Sequence, residues 1–129
     1  MAYLAESVIK QLVEAFNQRN LEPVLKLFSE DIVLHVPGQN RIAGRYHGRS
    51  GVLDFWNKQI DITGGTFKAQ LITACRGEGH LVLIFEGGAS RDGESYVWRR
   101  INHYLMIEGQ VVEGWVYESD QEAADAAFA

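Results

Sequence analysis

Apolar side chains at Leu4, Val8, Leu12, Ala15 and Phe16 recur at helical spacing, while Glu6, Lys10, Gln11, Glu14 and Gln18 fall on other faces. The opening stretch is therefore expected to form an amphipathic helix that lids a core. Asn20 stands where an N-cap belongs and Pro23 where a first turn tolerates it, so Val24, Leu25, Leu27 and Phe28 are expected on a second, short helix. From Asp31 the texture turns β-branched and apolar, through Ile32, Val33, Leu34, His35 and Val36, until Pro37-Gly38 stops it; this is a first strand. Gln39 to Gly48 reads as a loop with a short strand near Arg45 to His47. Ser50 is the expected cap of a third helix reaching Ile60, with Val52, Phe55, Trp56 and Gln59 as its buried stripe.

After Gly64-Gly65 the period changes from helical to extended. Thr66 to Arg76, His80 to Ser90, Ser95 to Ile107 and Val111 to Glu118 are separated by Gly77-Glu78-Gly79, Asp92-Gly93 and Glu108-Gly109. Asp-Gly between apolar or alternating runs is a strong hairpin signal, so four strands in an antiparallel meander are expected, in an α+β architecture. Leu81 to Phe85 is apolar at both parities, which requires cover on both sheet faces. Helices supply one cover, and a second copy of the chain, in a homodimer, is the expected other. Asp120 to Ala129 reads either as a short terminal helix or as a frayed end.

Composition narrows the class. A chain of 129 residues, 47% hydrophobic, reads as a single domain over residues 1–129 with a sizeable core. A formal charge of −5 argues against nucleic acid or an anionic membrane as partner. The lone Cys75 excludes an internal disulfide framework and suits a reducing compartment. Met1 to Glu6 has no basic-then-apolar signal pattern, so the cytoplasm is the expected location.

Phosphate-loop, dinucleotide and structural-zinc motifs are absent, and His35, His47, His80 and His103 are too scattered for a local metal motif; no metal or cofactor is expected. Cys75 is expected as inert strand packing. Polar residues inside apolar strands carry more information, because burying them costs free energy unless they are satisfied. His35, Asn102 and His103 are such residues. Alternation puts Trp98, Arg100, Asn102, Tyr104 and Met106 on one face of their strand and Val97, Arg99, Ile101, His103, Leu105 and Ile107 on the other. Only one of Asn102 and His103 can then face a cavity. An inward Arg100 would suit a carboxylate- or phosphate-bearing ligand.

Leu27 to Asp31, His35-Val36-Pro37-Gly38, Gly44 to Arg49, Gly65-Thr66-Phe67 and Glu108 to Trp115 resemble the SnoaL-like branch of the NTF2-like superfamily over nearly the whole chain. The resemblance implies a cone-shaped α+β fold, its curved, mostly antiparallel sheet wrapped around three helices and a central pocket, commonly dimeric through the outer sheet face. Phe16, Phe28, Val36, Phe55, Trp56, Trp98 and Val116 are the implied pocket residues. It also locates the chemistry. The isomerase base precedes the strand-ending proline, a place held here by Val36, and the protonated aspartate of the oxyanion hole maps to Asn102. The cyclase aspartate after Glu-x-Trp maps to Val116, with its histidine partner at Asn102 or His103. The isomerase tyrosine of the first helix has Phe16 near its place.

Valine neither takes nor gives a proton, and an amide donates a hydrogen bond without acting as a base. Three functions therefore stand side by side. The first is an acid/base isomerase, cyclase or hydratase acting on an apolar carbonyl compound, with His35 or His103 moving the proton and Asn102 holding the oxyanion. The second is a non-catalytic binder of a small hydrophobic molecule. The third is a dimeric interaction module with a filled pocket.

Overall fold

A computed structural model describes residues 5–129. Helix α1 spans Glu6–Asn17 and α2 Glu22–Leu25; strand β1 spans Phe28–Val36 and β2 Gly44–His47; α3 covers Gly48–Ile62. Strands β3 (Lys68–Gly77), β4 (His80–Arg91), β5 (Glu94–Ile107) and β6 (Gln110–Glu118) follow, and α4 (Gln121–Ala127) ends the chain. One curved six-stranded sheet runs in the order β2-β1-β6-β5-β4-β3. Only the β1–β6 pair is parallel. Among the described residues no helix is long and apolar enough to cross a membrane.

The meander follows from its turns. Asp92-Gly93 has positive φ at both central residues (53° and 83°), and Glu78-Gly79 and Glu108-Gly109 repeat the pattern. This is the mirror-image turn whose twist matches that of the flanking strands, and glycine supplies its second position without strain.

Several local expectations are corrected. The buried side of α1 is Ile9 and Phe16, with Leu12 and Val13 half-buried and Val8 exposed, an equally regular stripe displaced by one residue; Leu4 lies outside the described residues. Phe28 belongs to β1, where it pairs with Val111, so α2 is a single turn. Its N-cap is Leu21 rather than Asn20, and α3 starts at Gly48 after His47 rather than at Ser50; neither helix has a side-chain cap bond. The tail forms helix α4, capped by Asp120, which accepts the Ala123 amide, and it seats Phe128 fully buried against Phe67 and Trp98. Of the two readings of the tail the helical one holds, so the described residues carry four helices, the three expected along the chain and this terminal one. Cys75 is exposed rather than packed, since it pairs with Val82 on the outer side of the sheet.

Candidate functional site

Helices α1, α2 and α3 lie against the concave side of the sheet, and a cavity of about 90 Å³ remains between them. The walls are apolar: Ile9, Leu12, Val13 and Phe16 from α1, Val24 and Leu27 near α2, Phe55 and Trp56 from α3, and Phe67, Leu81, Leu83 and Phe85 from β3–β4 and its approach. Phe28 meets Trp56 and Tyr104 edge-on at 5.5 and 5.6 Å, and Phe16 meets Trp56 at 5.8 Å. Edge-to-face rings interlock, so this wall is stiff.

The polar lining consists of Gln59, Arg100, Asn102 and Tyr104. Three of these stand on β5 at successive even positions, as its alternation requires. Arg100 does face inward, but it is matched: Nε and Nη2 each donate to the Glu118 carboxylate at 2.8 Å, and Nη1 donates to Gln59 Oε1. The side chains of Arg100 and Glu118 are only 5% and 1% exposed. Trp98 Nε1 donates to the same carboxylate at 3.2 Å, and the rings of Phe55, Phe67, Trp98 and Phe128 surround the guanidinium at 5.2–6.0 Å. A bidentate pair this dry is tolerable only because its remaining valences are also occupied.

Deeper along β5, Asn102 Nδ2 donates to Tyr104 Oη at 3.0 Å. Asn102 Oδ1 is buried and has no partner among the described residues, a carbonyl whose desolvation costs about 1–3 kcal/mol while it stays unpaired. Burial pushes the Tyr104 phenol up to about 12, against the smaller opposing effects of the Asn102 hydrogen bond and the Arg100 charge. Room for the Tyr104 ring comes from Gly114 opposite it; a Cβ there would lie 2.9 Å from the ring and 3.0 Å from Leu34.

Of the residues singled out by sequence, Phe16, Phe28, Phe55, Trp56 and Asn102 line this cavity. Val36, Trp98 and Val116 are buried on the same side of the sheet but stand in the core rather than on the lining. His35 and His103 are on the other face. There His35 Nε2 lies 2.7 Å from Glu113 Oε2, its ring stacks on Trp115 at 5.7 Å, and His103 stacks on the far side of the row at 5.0 Å from Trp115. His80 Nδ1 is 2.8 Å from His103 Nε2, completing a row across four strands. Among the described residues no group of three or more His, Cys, Asp or Glu is placed to hold a metal ion. The sequence reading missed Tyr104, Gln59 and Glu118 as members of the polar end; the inward parity of β5 pointed at the first of them.

The pattern of the SnoaL-like domain family matches residues 9–114. A search of curated proteins gives no match for the chain. Among solved structures, Bal32a from a soil-derived mobile gene cassette is 27% identical, with 94% of this chain and 93% of that one covered and a TM-score of 0.87. An NTF2-like protein from Burkholderia xenovorans LB400 superposes with a TM-score of 0.74 at 13% identity, covering 95% and 94%. IdmH, a putative polyketide cyclase from Streptomyces antibioticus, does so at 0.71 and 20%, covering 92% and 94%. The last two establish likeness of fold.

Proposed function

Because the chain belongs to the SnoaL-like domain family, with the NTF2-like fold, we propose that it is a single-domain cytoplasmic protein that holds a small, mostly apolar molecule in its inner cavity without acid/base chemistry. One observation carries this reading: no side chain on the described lining is available to move a proton. Arg100 is locked to Glu118, and the Tyr104 phenol, near 12, stays protonated at neutral pH. Asn102 and Tyr104 can hydrogen-bond a carbonyl oxygen, but removing the neighbouring proton needs a base within reach.

Native mass spectrometry of protein purified from its own host, followed by deuterium exchange on a panel of ketones, tests this. A defined extra mass and exchange at the solvent rate are expected. Exchange above that rate, lost in Asn102→Ala and in His35→Ala or His103→Ala, would replace binding with catalysis by those residues.

The same reading includes a homodimer through the outer sheet face. Val82, Ile84, Ile101, Leu105 and Trp115 are half-buried there on an otherwise uncovered surface, with Val97 and Tyr117 exposed beside them. Sedimentation velocity is expected to give a dimer at micromolar concentration, and Ile101→Lys a folded monomer. A wild-type monomer would remove the interface.

A further inference from the structure

We infer that the polar end of the cavity selects a neutral hydroxyl group, that of an alcohol, phenol or enol, and rejects carboxylates; the inference rests on the cavity being a binding site, as proposed above. The first part follows from Asn102 and Tyr104. With Asn102 Nδ2 donating to Tyr104 Oη, the cavity is left with an unpartnered acceptor, Asn102 Oδ1, and a donor, the Tyr104 O–H, for which no acceptor is found among the described residues. Turning the amide over leaves the same complement: Tyr104 then donates to Oδ1, the amide N–H groups are free to donate, and the phenol oxygen is free to accept. In either orientation the pair offers at least one donor and one acceptor side by side. A hydroxyl satisfies both at once. An ether or ketone satisfies the donor alone, and a hydrocarbon satisfies neither.

The second part follows from Arg100. Its charge is opposed at two 2.8 Å bonds by a carboxylate that the fold itself supplies, its third edge holds Gln59, and aromatic rings cover it. A ligand anion entering this lining would give up its hydration and find no uncompensated cation. The arrangement that looks from sequence like an anion site is therefore a closed pair that stiffens β5 beneath Asn102.

The test uses four monocyclic probes of matched shape: phenol, anisole, toluene and benzoate. Each is titrated at pH 7 into methyl-labelled protein, reading the Leu81 and Leu83 methyls that line the cavity. Phenol is expected to bind about tenfold tighter than toluene, anisole between them, and benzoate at least tenfold weaker than phenol. Asn102→Leu, of similar shape, is expected to bring phenol within about threefold of toluene, and Tyr104→Phe independently to do the same. Benzoate binding as tightly as phenol, or an undiminished preference for phenol in both variants, overturns this inference while leaving the cavity a binding site. If none of the four moves those methyls, the binding reading falls and this inference with it. The wild-type ranking decides the matter even if one variant does not fold.

Discussion

Replacing Glu118 by glutamine is the most direct perturbation of the site, because it removes one charge and almost no volume. Glu118 and Arg100 have side chains 1% and 5% exposed, so the guanidinium left behind cannot recover its hydration in place. Breaking a buried pair by removing one partner costs about 3–5 kcal/mol, a large share of the roughly 6–19 kcal/mol that a chain of this length has in total. With a urea dependence of about 1.5 kcal/mol/M the midpoint should fall by about 2–3 M. The new amide keeps one carbonyl oxygen for Trp98 Nε1 or Arg100 Nε, which places the loss toward the lower end. The double variant Arg100→Met, Glu118→Leu, which removes both charges, should recover at least half of it, the remainder reflecting the orphaned Gln59 carbonyl. A second readout is specific to charge. In Glu118→Gln the cavity is lined by an unmatched cation, so benzoate should raise its urea midpoint and leave that of the wild type unmoved. A midpoint shift below about 0.5 M with unchanged slope, or equal protection of both proteins by benzoate, would refute the account of Arg100 as a closed pair.

Other positions give independent checks. Gly114→Ala drives a methyl against the Tyr104 ring and Leu34 and should cost about 1–3 kcal/mol in the same denaturation assay. Gly38, at φ 108°, leaves no room for a Cβ beside Gln121 and Asp125, so Gly38→Ala should release α4 and speed amide exchange over Ala123 to Phe128. Burial raises the Asp125 carboxyl, but hydrogen bonds from Asn40, Gln121 and the Gln39 amide outweigh it and hold the group below its ordinary value. Its stabilisation is therefore present above the unfolded-state value near 3.8 and lost as the pH falls through the lower folded value; Asp125→Asn should flatten the acid limb of stability against pH. Tyr104 has the opposite sign: its folded value near 12 lies above 10, so stability falls as pH rises between the two, and Tyr104→Phe should remove that loss.

Much of this was legible in the chain because it is local. The stripe Val52, Phe55, Trp56 and Gln59 is one helix face, and all four are buried. The hairpins are two-residue turns written into three short sequences. The inward set on β5 is simple alternation. What pattern cannot show is which distant residue meets which. Gln59 lies 41 residues from Arg100 and Glu118 lies 18 away, so the same inward arginine reads as an anion site from sequence and as a neutralised pair in the fold. The row His80, His103, Trp115, His35 likewise depends on β1 lying parallel beside β6, a crossover that no local signal specifies.

A single irregularity decides which residues of β6 stand opposite the inward set of β5. The Glu108-Gly109 turn pairs Ile107 with Gln110 and Met106 with Val111, and extending that register up the hairpin would set Asn102 opposite Trp115. Between Met106 and Leu105 the register shifts by one, leaving Val112 as the extra residue, so that Leu105 meets Glu113 and Tyr104 meets Gly114. Asn102 then lies opposite Val116, and His103 opposite Trp115. Because cross-strand partners share a face, the bulge puts an indole and imidazoles together outside and, inside, a glycine beneath a phenol. Without it the bulk of Trp115 would be turned toward the cavity and Gly114 away from Tyr104. Histidine is absent from the described lining because of the alternation of β4 and β5 themselves, which turns His80 and His103 outward whatever β6 does; the bulge decides their neighbours, setting Trp115 beside His103 and His35 outside and Gly114 beneath Tyr104 inside.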